Sequence, residues 1–104
     1  MITRDLGVQN AILVYLYTHI NDETTRPRAS KLLEILREDD ADIPDEVFHT
    51  QLKILCRKGL VEITPVLDDQ DRVLYFAPEI TGAGCGAAEA VLLRRLHDKD
   101  RCEN

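Results

Sequence analysis

The sequence predicts a mainly helical α+β domain whose elements run helix, helix, helix, strand, strand, helix. Three observations predict it. Apolar residues recur at helical spacing in three successive segments that end near Lys58. At Gly59 the period changes to alternation, over two short runs separated by an acidic tip. After Thr81 helical spacing returns and holds to about Asp98.

The first helix is predicted from about Asp5 to Ile20. Thr3 is placed to cap it, and Asp5 lies in the first turn, at the positive end of the helix dipole. Val8, Ile12, Leu16 and Ile20 form one stripe, while Leu13, Val14 and Tyr17 are apolar and point elsewhere. The apolar arc is wider than one core face requires. Such a helix is either buried centrally in one chain, or packs on its own core and on a second subunit. A small domain has few elements with which to bury a helix all round, which favours the second reading. Asn21 to Arg28 is polar, carries Pro27 and reads as a loop. A second helix covers about Ala29 to Glu38, with Ala29, Leu32, Leu33 and Leu36 on one face.

Asp39, Asp40 and Asp42 make an acidic turn. Pro44 suits the first turn of a third helix and Asp42 its cap. That helix runs to about Lys58, with Phe48, Leu52, Leu55 and Cys56 inward and Arg57 and Lys58 at its negative end. Gly59 is the expected left-handed terminator. Beyond it, Val61, Ile63 and Pro65 alternate with Glu62 and Thr64. Asp68, Asp69, Gln70 and Asp71 form the tip, and Arg72 to Phe76 a second strand, completing a hairpin. Ala77 to Thr81 leads out of it. Thr81 caps a final helix over about Gly82 to Asp98, in which Ala87, Ala88, Val91, Leu92, Leu93 and Leu96 span a broad apolar arc. One domain over residues 1–98 with a frayed tail over 99–104 is expected.

Composition narrows the functional classes. The chain has 104 residues, 13 basic against 19 acidic, and a formal net charge of −6. With 44% hydrophobic and 31% charged residues it is too apolar for disorder and too charged for a membrane span. The longest apolar run, Ala11 to Tyr17, is seven residues, against the ~18–20 needed to cross a bilayer. Polar neighbours and the lack of a small-residue cleavage site argue against a signal peptide. The three cysteines, Cys56, Cys85 and Cys102, form no disulfide framework, which fits a reducing, cytoplasmic setting. A chain this short buries only about 60–70% of its unfolded surface. A deep substrate cavity is therefore not expected, and surface recognition is.

Two short helices joined by a tight turn and followed directly by a hairpin make a helix-turn-helix with a wing. At this point the sequence resembles winged-helix transcriptional regulators of the ArsR, MarR and PadR kind. Gln51 to Val61 matches their L-x-x-L-x-x-x-G-L-V through Leu52, Leu55, Gly59, Leu60 and Val61. Tyr75 to Gly84 is similar to the Y…[LI]-T-x-x-G that follows their wing. In length and acidity the chain also resembles small winged-helix proteins of Mu-like prophages. The resemblance implies that the exposed face of the third helix enters a major groove. By position, that face carries Glu46, His49, Thr50, Lys53 and Arg57. His49, Lys53 and Arg57 fall on one line, and Thr50 borders them as a donor to base or phosphate. Arg26, Arg28 and Lys31 are placed to hold phosphates, and Arg72 to do so from the wing. A homodimer joined through the first and last helices is expected, by way of Leu13, Val14, Tyr17, Leu92, Leu93 and Leu96.

Other features favour a different class, a non-enzymatic protein-interaction module. Asp45 and Glu46 occupy the helix turn that approaches base edges, where the resembled families carry Ser, Thr, Arg or Gln. Asp68, Asp69 and Asp71 stand at the wing tip, where DNA binders commonly carry Arg or Lys. Like charges at ~4 Å repel by about 1 kcal/mol even in water. Residues 41–76 hold four basic and seven acidic residues, net −3. No catalytic motif appears, and no enzyme activity or cofactor is expected. Gly82, Gly84 and Gly86 lack dinucleotide-binding spacing. Cys85, His97 and Cys102 could meet across a dimer, but without a matched pair no metal is expected.

Overall fold

The predicted period changes become real element boundaries. The computed structural model describes residues 2–21, 26–39 and 42–102, with side chains described from 6 to 97 within them. The elements are α1 (Ile2–Thr18), α2 (Ala29–Arg37), α3 (Asp45–Arg57), β1 (Val61–Leu67), β2 (Val73–Ile80) and α4 (Gly82–Cys102). This is a winged helix-turn-helix fold: α2 and α3 form the helix pair, and the antiparallel β1–β2 hairpin forms the wing.

One core joins the elements. Val8, Ile12 and Leu16 of α1 meet Leu32, Leu33 and Leu36 of α2, and Phe48, Leu52 and Leu55 of α3. Val61 and Ile80 close the core at the foot of the wing, and Ala88 closes it from α4. Burying each large apolar side chain contributes roughly 1.5–3 kcal/mol.

α1 packs against α2, α3, α4 and β2. Leu13 is therefore 4% exposed and belongs to the chain's own core, which corrects its expected place on a subunit interface. The wide apolar arc reflects central burial on this flank. Ile20 departs from the predicted stripe. The helix ends at Thr18, so Ile20 lies beyond it and is exposed. Thr3 lies within the helix, which begins at Ile2, and not in front of it.

Other boundaries shift for identifiable reasons. α3 begins at Asp45, with Pro44 in the extended N-cap position and no side-chain cap. The N-cap position thus falls on Pro44 and not on Asp42. Arg37 organises this end instead: its guanidinium donates to the Ile43 carbonyl (Nε 3.0 Å, Nη2 2.8 Å) and pairs with the Asp45 carboxylate. At the other end, Gly59 adopts φ +74°. The Leu60 amide donates to the Leu55 carbonyl (3.0 Å) and the Gly59 amide to that of Cys56 (3.1 Å), the paired bonds of a glycine-terminated helix.

The hairpin is longer than its alternation suggests. Val61 pairs with Ile80, Ile63 with Pro78 and Pro65 with Phe76, up to an irregularity between Val66 and Leu67. Ala77 to Ile80, expected as an exit segment, is strand, because the ladder back to β1 satisfies its backbone. α4 continues to Cys102, beyond the expected end at Asp98.

Thr81 caps α4 as predicted, its Oγ1 accepting from the Gly84 amide at 3.0 Å. The same hydroxyl donates to the Gly59 carbonyl (2.7 Å), and the Thr81 amide donates to that of Leu60 (3.0 Å). One residue thus ties together the end of α3, the foot of the wing and the start of α4.

Gln51 is 4% exposed on the inner side of α3, and its Oε1 accepts from Gln9 Nε2 of α1 at 2.6 Å. No described buried side-chain polar atom lacks a partner. Gln51→Leu is expected to cost about 1 kcal/mol, since it removes the acceptor of the half-buried Gln9 amide. Gln9→Leu combined with Gln51→Leu is expected to recover most of that loss. Chemical denaturation of the four proteins of the cycle measures the coupling, and strictly additive losses would contradict it.

Candidate nucleic-acid interface

The exposed side of α3 is set by what its other side buries. Phe48, Gln51, Leu52 and Leu55 face inward, so His49, Thr50, Lys53 and Arg57 face solvent. The His49 ring stands edge-on to Phe48, with centroids 5.3 Å apart. Lys53 and Arg57 form no ion pair with any described residue. Glu46 is exposed on the same helix, whereas the Asp45 carboxylate is held by Arg37 and the charge it adds to this end is compensated.

The remaining predicted cations are engaged within the chain. Arg26 lies 4.0 Å from Glu79, and Lys31 lies 3.4 Å from Glu34, one helical turn along α2. The Arg28 guanidinium sits 4.8 Å over the Tyr75 ring, whose hydroxyl donates to the Arg26 carbonyl at 2.7 Å. These contacts dock the segment before α2 against one face of the wing. Arg72 Nε donates to Asp68 at 3.2 Å. The structure therefore separates the eight predicted residues into an open ridge on α3 and a surrounding set whose charges are neutralised or stacked.

The wing tip is more structured than an acidic loop. Asp68 accepts from the backbone amides of Arg72 (2.9 Å) and Gln70 (2.8 Å) as well as from the Arg72 side chain. These bonds, led by the Arg72 amide, hold its carboxyl below the usual carboxylate range. The sign follows from linkage. The folded tip prefers the ionised form, so this contribution is fully present above the ordinary value of about 3.9 and is lost as pH falls through the lower folded value. Carboxyl NMR titration of Asp68 should give a midpoint below the ordinary aspartate range; one at or above it would contradict these bonds. Asp69 and Asp71 remain exposed, and Asp71 takes φ +62° to close the turn.

Between α3 and the wing lies an open groove of about 510 Å³, lined by Leu52, Cys56 and Ile63 with His49, Lys53 and Arg57. Burial pushes the Cys56 thiol above its ordinary pKa, as expected of a packing residue. Ile63, Leu67, Val73, Leu74 and Phe76 are all exposed on the hairpin, a concentration of apolar surface that strand alternation alone did not reveal.

α4 packs along α1. The Tyr17 hydroxyl donates to Glu89 at 3.2 Å, and the hydrogen bond and charge of Glu89 hold the phenol above its usual pKa range. Val14 and Leu92 are half-buried there, while Leu93 and Leu96 are exposed. The described residues include no group of three or more His, Cys, Asp and Glu able to hold a metal, and the side chain of Cys102 lies outside the described set. Among the described residues no helix is long and apolar enough to cross a membrane.

No family model and no curated protein matches the sequence. Among solved structures, a candidate transcriptional regulator from Thermoplasma acidophilum is similar over 100% of this chain and 98% of its own, with TM-score 0.63 and 18% identity. At that identity the likeness concerns the fold, which both chains share from end to end.

Proposed function

We propose that the chain is a small DNA-binding transcriptional regulator that acts as a homodimer, with α3 reading the major groove of a duplex. The observation that carries this reading is the open cationic ridge. Lys53 and Arg57 are exposed without an ion-pair partner among the described residues, on the helix that a winged helix presents to DNA. Thr50 and His49 flank them as donors. Arg26, Arg28, Lys31 and Arg72 serve as secondary phosphate contacts, since each must first leave a partner within the chain. Val14, Tyr17, Leu92, Leu93 and Leu96 supply the subunit contact along α1 and α4. A cytoplasmic site of action accords with the cysteine usage.

Titration of a labelled duplex at two salt concentrations tests the reading. Two phosphate contacts per subunit in a dimer predict a loss of roughly a hundredfold in affinity between about 50 and about 200 mM salt. Absence of binding at low salt would refute it and favour a protein-interaction module. The specific observation behind that second reading is the apolar hairpin surface beside exposed Asp69 and Asp71.

A further inference from the structure

The two faces of the wing have different fates. One carries Tyr75 and is covered by the segment before α2. The other begins at the core with the Val61–Ile80 pair and continues outward through Ile63–Pro78 and Pro65–Phe76; Leu74 follows, unpaired, at the irregularity beyond them. Val61, Pro78 and Ile80 are buried, but Ile63, Leu74 and Phe76 are 48%, 58% and 59% exposed. Exposed apolar strips of this kind on small soluble domains mark interaction surfaces.

The ends of the strip carry opposite charge. At its foot, Ile63 shares a groove with His49, Lys53 and Arg57. At its tip stand Asp69 and Asp71, both exposed; the third carboxylate, Asp68, is already bonded to Arg72. A surface with cations at one end, an apolar middle and carboxylates at the other is complementary to itself under a two-fold rotation. Rotating one copy over another lays the Pro65–Phe76 pairs of the two copies together and brings each acidic tip to the other's α3 ridge. That is the condition for an isologous interface.

We propose that the occupant of this wing face is a second copy of the chain, packed antiparallel through Ile63, Pro65 and Phe76, with Asp69 and Asp71 opposite the partner's Lys53 and Arg57. The contact uses residues distinct from those of the α1–α4 surface and goes beyond the function proposed above. Because it covers the α3 ridge, self-association and duplex binding exclude one another; that consequence alone rests on the DNA-binding reading.

Sedimentation and light scattering across protein concentration test it, in a Leu93→Glu/Leu96→Glu background that removes the α4 contact. This variant is expected to dimerise, and adding Phe76→Glu, an exposed position, is expected to give a monomer with unchanged circular dichroism. Asp69→Lys/Asp71→Lys and Lys53→Glu/Arg57→Glu are each expected to weaken the dimer about tenfold or more, and their combination to restore it, because all four charges are then reversed together. A background variant that is monomeric at every concentration would overturn the proposal, as would a dimer that ignores Phe76→Glu or charge reversals that do not rescue each other. In the monomeric case, an apolar dye whose fluorescence is lost with Phe76→Glu would assign the face to a different protein. Failure of duplex to bind leaves these outcomes intact and counts against the DNA-binding reading only.

Discussion

Gly84→Ala is expected to cost more than about 3 kcal/mol, although alanine is normally the better helix former. A Cβ at this position would stand 2.0 Å from the Leu60 carbonyl oxygen and 2.6 Å from Ile80 Cγ1. The carbonyl cannot easily retreat, because it accepts from the Thr81 amide at 3.0 Å and belongs to the turn that ends α3. Overpacking a rigid site typically costs 1–3 kcal/mol and sometimes more, and backbone gives way less readily than a side chain. A domain of this size has about 5–15 kcal/mol of stability in total, so the variant loses a large share of it. Its melting temperature should fall by roughly 15 °C or more. Gly86→Ala is the control: it lies in the same helix with nothing within 4 Å of its would-be Cβ. That change should stabilise by up to about 1 kcal/mol. Thermal denaturation followed by circular dichroism reads both, and equal effects at the two glycines would contradict the close approach of α4 to Leu60.

Lys53→Glu combined with Arg57→Glu is expected to lower duplex affinity at low salt by at least about a hundredfold and to flatten the salt dependence. Charge-assisted bonds are worth about 1.5–3 kcal/mol each, and tenfold in affinity corresponds to about 1.4 kcal/mol. Reversal adds repulsion from the phosphates to the loss of each bond. Both side chains are exposed, so stability should change by no more than about 0.5 kcal/mol. Lys31→Glu should have a smaller effect, because Glu34 already neutralises Lys31. Fluorescence polarisation with one duplex across all variants makes the comparison. Equal losses from the α2 and α3 changes would indicate diffuse electrostatic attraction and displace α3 from its proposed role.

Much of the fold was legible because single residues settle its boundaries. Gly59 ends α3 in the left-handed conformation, Thr81 caps α4, and the face containing Phe48, Leu52 and Leu55 is buried as its spacing requires. What escaped the sequence depends on partners distant along the chain. Gln51 reads as a surface residue until Gln9 is brought opposite it, 42 positions away in sequence. Leu13 looks available to another subunit until α4 lies beside α1. Asp45 reads as a uniform repulsive charge, but Arg37 reaches it across the turn. Asp68 likewise counts as tip charge until its turn folds around it.

The candidate site was legible to a lesser degree. The line of His49, Lys53 and Arg57 follows from helical period alone and is exposed as expected. Which of the surrounding cations are already spoken for does not follow from period, because Glu79 and Asp68 approach Arg26 and Arg72 only through the geometry of the hairpin. The exposed Leu74 and Phe76 were hidden for a similar reason: a β-rich run reads as half-buried, and its burial depends on how far the hairpin projects from the body.

The junction at Thr81 has a mechanical consequence. Its hydroxyl and amide fasten the exit of α3, the root of the hairpin and the first turn of α4 within one cluster of hydrogen bonds. Thr81 alone separates the hairpin from the long terminal helix. Displacing α4 would pull on the exit of α3 and the root of the hairpin through these bonds, so in the proposed dimer a signal received along that helix would be felt as a change of angle between copies.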